Sequence, residues 1–206
     1  MNSNLTEIVC VIDRSGSMSG IKSDAEAGLN AFIKEQKSLL NQEVNLTLAQ
    51  FDDKYDLLFD GVSLKNTDVN YHLAPRGWTA LLDAVGKTIN HVGERLSKTP
   101  EDQRPGKVVV MIVTDGEENR STEYSFAQIK QMIEHQTNHY SWQFMYIGAN
   151  QDAFAVGSSL GVVNNMRYAF DSAGTRSAYT TASASVMSYR NTSDPNASVV
   201  LPTNAP

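Results

Sequence analysis

Residues 8–12 form an unbroken apolar run, Ile-Val-Cys-Val-Ile, the pattern of a strand covered on both faces of a parallel sheet. The run stops at Asp13, and from Ile21 the apolar spacing changes from continuous to helical. Ile21, Ala25, Leu29, Phe32, Ile33 and Leu40 fall on one side of a helix over 21–40. Lys22, Glu26, Lys34 and Glu35 fall largely on the other. Residues 46–51 alternate as a strand, and 55–59 form a second short one. Asp52-Asp53-Lys54 is a hairpin-like turn between them, so the pair runs antiparallel and one member is an edge strand. Residues 62–77 carry no clean period and predict a loop. Leu81, Val85, Ile89, Val92 and Leu96 then predict a helix over 80–96 with Thr79 at its N-cap.

The most apolar stretch, 108–113, is expected to be the central strand. It ends in Thr114-Asp115-Gly116, repeating the abrupt polar stop of the first run. A helix over 124–136, a strand over 144–147, a short helix over 153–160 and a weak strand over 167–170 follow. Residues 172–189 are rich in Ser, Ala and Thr, with middling helix propensity, so packing must hold them helical. Residues 191–206 are polar and punctuated by Pro195, Pro202 and Pro206. They read as a loosely docked tail whose one apolar patch is Val199-Val200-Leu201. Strands alternating with helices predict one α/β domain over 1–190. Its sheet is doubly wound and mostly parallel, with one antiparallel edge strand and helices on both faces.

Composition narrows the function. The chain of 206 residues suits one full core. Net charge is −6 with scattered basic residues, which argues against nucleic acid as a partner, since phosphate binding needs concentrated positive charge. The single cysteine, Cys10, lies within the first apolar run and suits a small core residue. No segment resembles a signal peptide or a membrane span, which predicts a cytoplasmic protein with no membrane partner.

The candidate chemistry sits where the strands stop. In the stretch Asp13-Arg14-Ser15-Gly16-Ser17-Met18-Ser19-Gly20, Asp13, Ser15 and Ser17 project oxygens at alternate positions from a loop at a strand's carboxyl end. Open α/β sheets bind ligands there, and oxygen ligands suit a hard divalent cation, Mg²⁺ first, with Mn²⁺ or Ca²⁺ as alternatives. Each piece also has a plainer role. Ser17 or Ser19 could cap the first helix, Thr79 the second, and Asp115-Gly116 could be a turn.

The D-x-S-x-S pattern of Asp13, Ser15 and Ser17 resembles the first metal-binding motif of the von Willebrand factor A domain family. Gly77-Trp78-Thr79-Ala80-Leu81-Leu82-Asp83-Ala84 resembles its second, with Thr79 as the motif's threonine. Val113-Thr114-Asp115-Gly116 resembles its third, with Asp115 as the motif's aspartate. The resemblance spans roughly residues 5 to 190 and implies a Rossmann-like fold. It also implies a metal-ion-dependent adhesion site built from Asp13, Ser15, Ser17, Thr79 and Asp115. Neutral hydroxyls would leave such a cation electrophilic, able to capture a Glu or Asp of a partner protein. Arg14, Met18, Trp78, Glu117, Asn119 and Asn150 are expected to flank the mouth and set partner choice, with Trp78 the foremost contact.

The resemblance implies a non-enzymatic binding module. A Mg²⁺-dependent phosphatase or phosphotransferase on a related sheet is the alternative. Enzymes resembling haloacid dehalogenases need a second acid two residues after the nucleophilic Asp, where this chain has Ser15. A structural assembly subunit is the third reading. His135 and His139 stand four apart, a spacing that could hold zinc on a helix, but no Glu or third ligand accompanies them, so solvated surface histidines are expected. Gly148-Ala149-Asn150 is not a dinucleotide fingerprint.

Overall fold

In the computed structural model, residues 1–40, 42–149, 151–194 and 196–202 are described, with side chains for all of these except 151–154. The apolar runs become the strands of one six-stranded sheet. In chain order these are β1 (Asn2–Asp13), β2 (Glu43–Phe51), β3 (Tyr55–Ser63), β4 (Pro105–Thr114), β5 (Gln143–Gly148) and β6 (Asn164–Arg167). Their spatial order is β3-β2-β1-β4-β5-β6. Every pairing is parallel except β2 with β3, so the antiparallel edge strand expected from the tight 52–54 link is β3. β1 and β4 lie side by side in the interior, which explains why their sequences carry no polar alternation.

The helices are α1 (Lys22–Lys37), α2 (Leu81–Lys98), α3 (Phe126–Tyr140), α4 (Gln151–Ser159) and α5 (Ser172–Asn191), and a 3₁₀ segment, Gly16–Ile21, precedes α1. Alternate residues of β1 face opposite layers. Ile8, Cys10 and Ile12 join α1 and α5 in one core, while Val9 and Val11 join α2 and α3 in the other. Burial pushes the Cys10 thiol up to about 12, so it stays a neutral core residue. In the first core, Gly28 of α1 lies against the Tyr179 ring of α5, where a β-carbon would overlap the ring. The two helices pack closely for that reason.

Some boundaries moved. α1 ends at Lys37, so Leu40 leaves the helical phase and is exposed. The last strand is 164–167 rather than 167–170. Asn-Asn-Met-Arg has weak strand character, and parallel pairing to β5, which buries Met166, decides the register. α3 begins two residues later than expected, at a capping box between Ser125 and Gln128. The tail docks more firmly than its polarity suggests. Val199 and Leu201 are buried in the first core, and Val199 N donates to Gln143 Oε1 at 3.2 Å. Lys107 at the start of β4 donates to the carbonyls of Tyr189, Arg190 and Thr192, closing the end of α5.

Candidate metal centre

Parallel pairing of β1 with β4 sets Ile12 opposite Val113, so Asp13 and Thr114 emerge together at the carboxyl end of the sheet. Asp13 is fully buried, with Oδ1 accepting Ser15 N at 2.6 Å and Oδ2 accepting Thr114 Oγ1 at 2.6 Å. The loop then doubles back so that Ser15 Oγ and Ser17 Oγ lie 2.9 Å apart. Ser17 Oγ donates to Asp115 Oδ1 at 2.7 Å. Residues 98 positions apart thereby meet.

Thr79 completes the cluster from a third loop. A β-carbon on Gly116 would stand 3.2 Å from Thr79 Oγ1, 3.5 Å from Ser17 Oγ and 3.9 Å from Asp13 Oδ2. Three oxygens from two loops therefore surround one small space beside the loop of Gly116, and glycine at 116 leaves it open. Ser15, Thr79 and Asp115 are buried, whereas Ser17 is exposed and marks the side facing solvent.

The capping roles fall elsewhere, which frees the hydroxyls. The N-cap of α2 is Ala80, not Thr79, and no side chain of its own caps it. The orphan amides of that first turn are instead satisfied across the fold, Leu82 N by Glu118 Oε2 at 2.9 Å and Asp83 N by Ser121 Oγ at 3.1 Å. Asp83 returns the contact by accepting the amides of Thr122, Glu123 and Tyr124. Thr79 itself is held by its backbone, with its N–H on Asn119 Oδ1 and its carbonyl accepting from Asn119 and Arg120 N. Among the described residues its hydroxyl has no hydrogen-bond partner. Ser19 Oγ turns back to Gly16 O, and the 3₁₀ segment takes no side-chain cap from Ser15.

Electrostatics favour a cation here. Burial raises the Asp13 carboxyl to about 6, against the hydrogen bonds from Thr114 and Ser15 and helped by the nearby charge of Asp115. Burial also raises Asp115, opposed by the bond from Ser17. Two desolvated carboxyls and three hydroxyls form an all-oxygen set suited to a hard divalent ion. Among the described residues no three of His, Cys, Asp and Glu gather in one place, so hydroxyl ligands would be essential to any metal centre.

The expected flanking residues separate into two groups. Trp78 is 64% exposed, and Glu117 and Asn119 are exposed. Asn119 also holds Thr79 in place through its side chain. Met18 and Arg14 are corrections. Met18 turns into the first core and is wholly buried, since the 3₁₀ turn carries it inward between two exposed serines. Arg14 is buried and spans Asp52 at 3.0 Å and Asp56 at 2.7 Å. Asn150 lies outside the described residues.

The sequence pattern did not reveal Asp52 as a support of the site. Burial alone would raise it, but Arg76, the Lys54 amide and Arg14 together hold it below the usual carboxylate range. Asp52 O accepts Ala80 N, Arg14 O accepts Arg76 N, and Gly77 O accepts Gly16 N, so the 52–54 turn splices the first and second motif loops. Its only signal was the doubled Asp in a hairpin turn. Thr114 and Glu118 were equally hidden, although Thr114 does end an otherwise apolar strand.

The sequence profile of the von Willebrand factor type A domain matches residues 7–185. The chain belongs to the von Willebrand factor type A domain family. The PilB minor pilin of Streptococcus sanguinis shares the fold at TM-score 0.62 and 12% identity, over 90% of this chain and 61% of that one. A von Willebrand factor type A protein from Catenulispora acidiphila gives 0.59 and 14%, over 88% and 42%. The manganese-loaded TRAP protein of Plasmodium vivax gives 0.54 and 16%, over 77% and 64%. The chain thus spans less than two thirds of each of these neighbours. No curated protein matches it. Domains of this type commonly bind divalent metals and mediate protein–protein interactions, and among the described residues no helix of this one is long and apolar enough to cross a membrane.

Proposed function

We propose that this von Willebrand factor A domain is a metal-dependent protein-binding module. Asp13, Ser15, Ser17, Thr79 and Asp115 hold a divalent cation, Mg²⁺ first, with Mn²⁺ or Ca²⁺ as alternatives. The observation that carries the proposal is the convergence of Thr79 Oγ1, Ser17 Oγ and Asp13 Oδ2 around Gly116, by hydroxyls that no helix end employs. The manganese-loaded TRAP neighbour supports a divalent ion in such a domain.

When bound, the cation supplies an electrophilic position toward solvent, where a Glu or Asp of a partner protein completes its oxygen shell. The chain's residues prepare that position. Thr114 and the Ser15 amide orient Asp13, Ser17 orients Asp115, and the 117–121 loop fixes Thr79. Trp78, Glu117 and Asn119 border the opening. No acid stands two residues after Asp13, and we assign no catalytic residue.

Calorimetric titration with MgCl₂ tests the site. Wild type binds one ion, and Asp13→Ala and Thr79→Ala bind it at least tenfold more weakly while both remain folded by circular dichroism. Unchanged Mg²⁺ affinity in both variants refutes the ligand set. Capture from a native extract in Mg²⁺, and again in EDTA, tests the binding role, for which metal-dependent retention of a partner is expected. Robust Mg²⁺-dependent hydrolysis of a generic phosphate ester, lost in Asp13→Asn, would favour the phosphatase reading. A homo-oligomer that dissolves on chelation would favour an assembly subunit.

A further inference from the structure

A second metal chemistry is laid out on the opposite kind of ligand, far along the chain from the oxygen cluster. His135 and His139 occupy successive turns of α3, both exposed, with ring centroids 4.6 Å apart and planes inclined by 45°. Among the described residues neither imidazole has a hydrogen bond or ion pair; they contact each other, and His135 also meets the edge of the Tyr140 ring. The other two histidines differ, since His72 faces Glu26 and Asn70, and His91 faces Asp60.

The spacing can be tested against coordination geometry. A metal–nitrogen bond of about 2.1 Å, extended along the ring by about 1.15 Å, puts a bound ion about 3.25 Å from each centroid. Two imidazoles at right angles on one ion then have centroids about 4.6 Å apart, whereas a tetrahedral angle separates them by about 5.3 Å. At 4.6 Å the two rings lie within chelating reach of one ion. His139 also lies in the last turn of α3, where the helix dipole presents its negative end and favours a cation.

We propose that His135 and His139 form a chelating site for a borderline divalent transition ion of the Cu²⁺ or Ni²⁺ class, held in adjacent positions of an octahedral or tetragonal shell. Imidazole nitrogen suits those ions and is a poor ligand for Mg²⁺, so the site is chemically distinct from the oxygen cluster and does not rest on its assignment. Among the described residues no third His, Cys, Asp or Glu joins the pair. Water fills the remaining positions, and these are open to exchange with a ligand from solvent.

The test is a CuCl₂ titration of the full chain with Mg²⁺ in excess, followed by calorimetry and electron paramagnetic resonance. One Cu²⁺ per chain is expected, with hyperfine structure from two nitrogen ligands. Either His135→Ala or His139→Ala weakens binding roughly a hundredfold, because the second contact is intramolecular. His72→Ala and His91→Ala leave it unchanged. Both histidines are exposed on a helix, so the variants keep the wild-type circular dichroism. Copper binding that is equal in wild type and both α3 variants, or a spectrum with a single nitrogen, overturns the proposal.

Discussion

Gly116 shows how much one missing methyl group can decide. Its hydrogen faces the space shared by Thr79, Ser17 and Asp13, and a side chain would project into that space rather than into the core. Gly116→Val is therefore expected to abolish Mg²⁺ binding at a stability cost of about 1–3 kcal/mol from overpacking, with the protein still folded. Thr79→Ser, which keeps the hydroxyl, should retain binding. Paired calorimetric and urea titrations check both, and a Gly116→Val protein that binds Mg²⁺ like wild type would refute the geometry. Asp13 makes a second prediction at this scale. Its carboxyl rises from 3.8 to about 6 on folding without metal, so the folded state holds the proton more tightly. That contribution is fully present below pH 3.8 and is lost as pH rises through about 6, at which point burial of the charge costs up to about 3 kcal/mol. A cation favours the ionised form and offsets that cost. The melting-temperature gain on replacing EDTA with Mg²⁺ should accordingly be larger at pH 8 than at pH 5. Taking the difference cancels groups that do not touch the site, and a gain equal at both pH values would contradict the assignment.

At the scale of elements, hydrophobic pattern and packing divided the outcome. The period of α2 was legible because Leu81, Val85, Ile89, Val92 and Leu96 all point into one core and are buried. β1 and β4 were legible as continuous apolar runs because sheet and helices cover both faces. β6 and the end of α1 were less so, since a polar edge strand takes its register from its neighbour and Leu40 loses its place once the helix stops. α5 depends most on tertiary contacts. Gln36 and Arg190 bond across to one another and Ser183 binds both Gln36 and Glu35, while Lys107 gathers the final carbonyls. Lys107→Met should destabilise the protein by roughly 1–3 kcal/mol. Hydrogen exchange should quicken at the end of α5 and in 196–202 before it does elsewhere. Uniform exchange with unaltered stability would deny Lys107 that role.

For the whole molecule, strand order does what no local pattern can. Placing β1 beside β4 brings Asp13 to Thr114 and Asp115, and the 52–54 turn of the β2–β3 hairpin anchors the loop that carries Thr79. The tail contributes to the same body, since Leu201 is buried with residues of α1, α5 and the sheet. Leu201→Ala should cost about 2–3 kcal/mol, measured by denaturant unfolding, and a loss below about 0.5 kcal/mol would mean that the tail is merely laid on the surface.

By itself the sequence determined the element types, the alternation that makes a doubly wound sheet, and the oxygen-bearing residues at strand ends, because period and turn chemistry are local properties. Tertiary structure alone decided that Ser15, Ser17 and Thr79 are not consumed as caps, since Glu118 and Ser121 reach α2 from another loop. It also turned Met18 inward between two exposed serines and buried Arg14 against Asp52 and Asp56. Those outcomes depend on which distant groups the fold brings to each unsatisfied amide, charge or apolar face, and no single stretch of the chain encodes that.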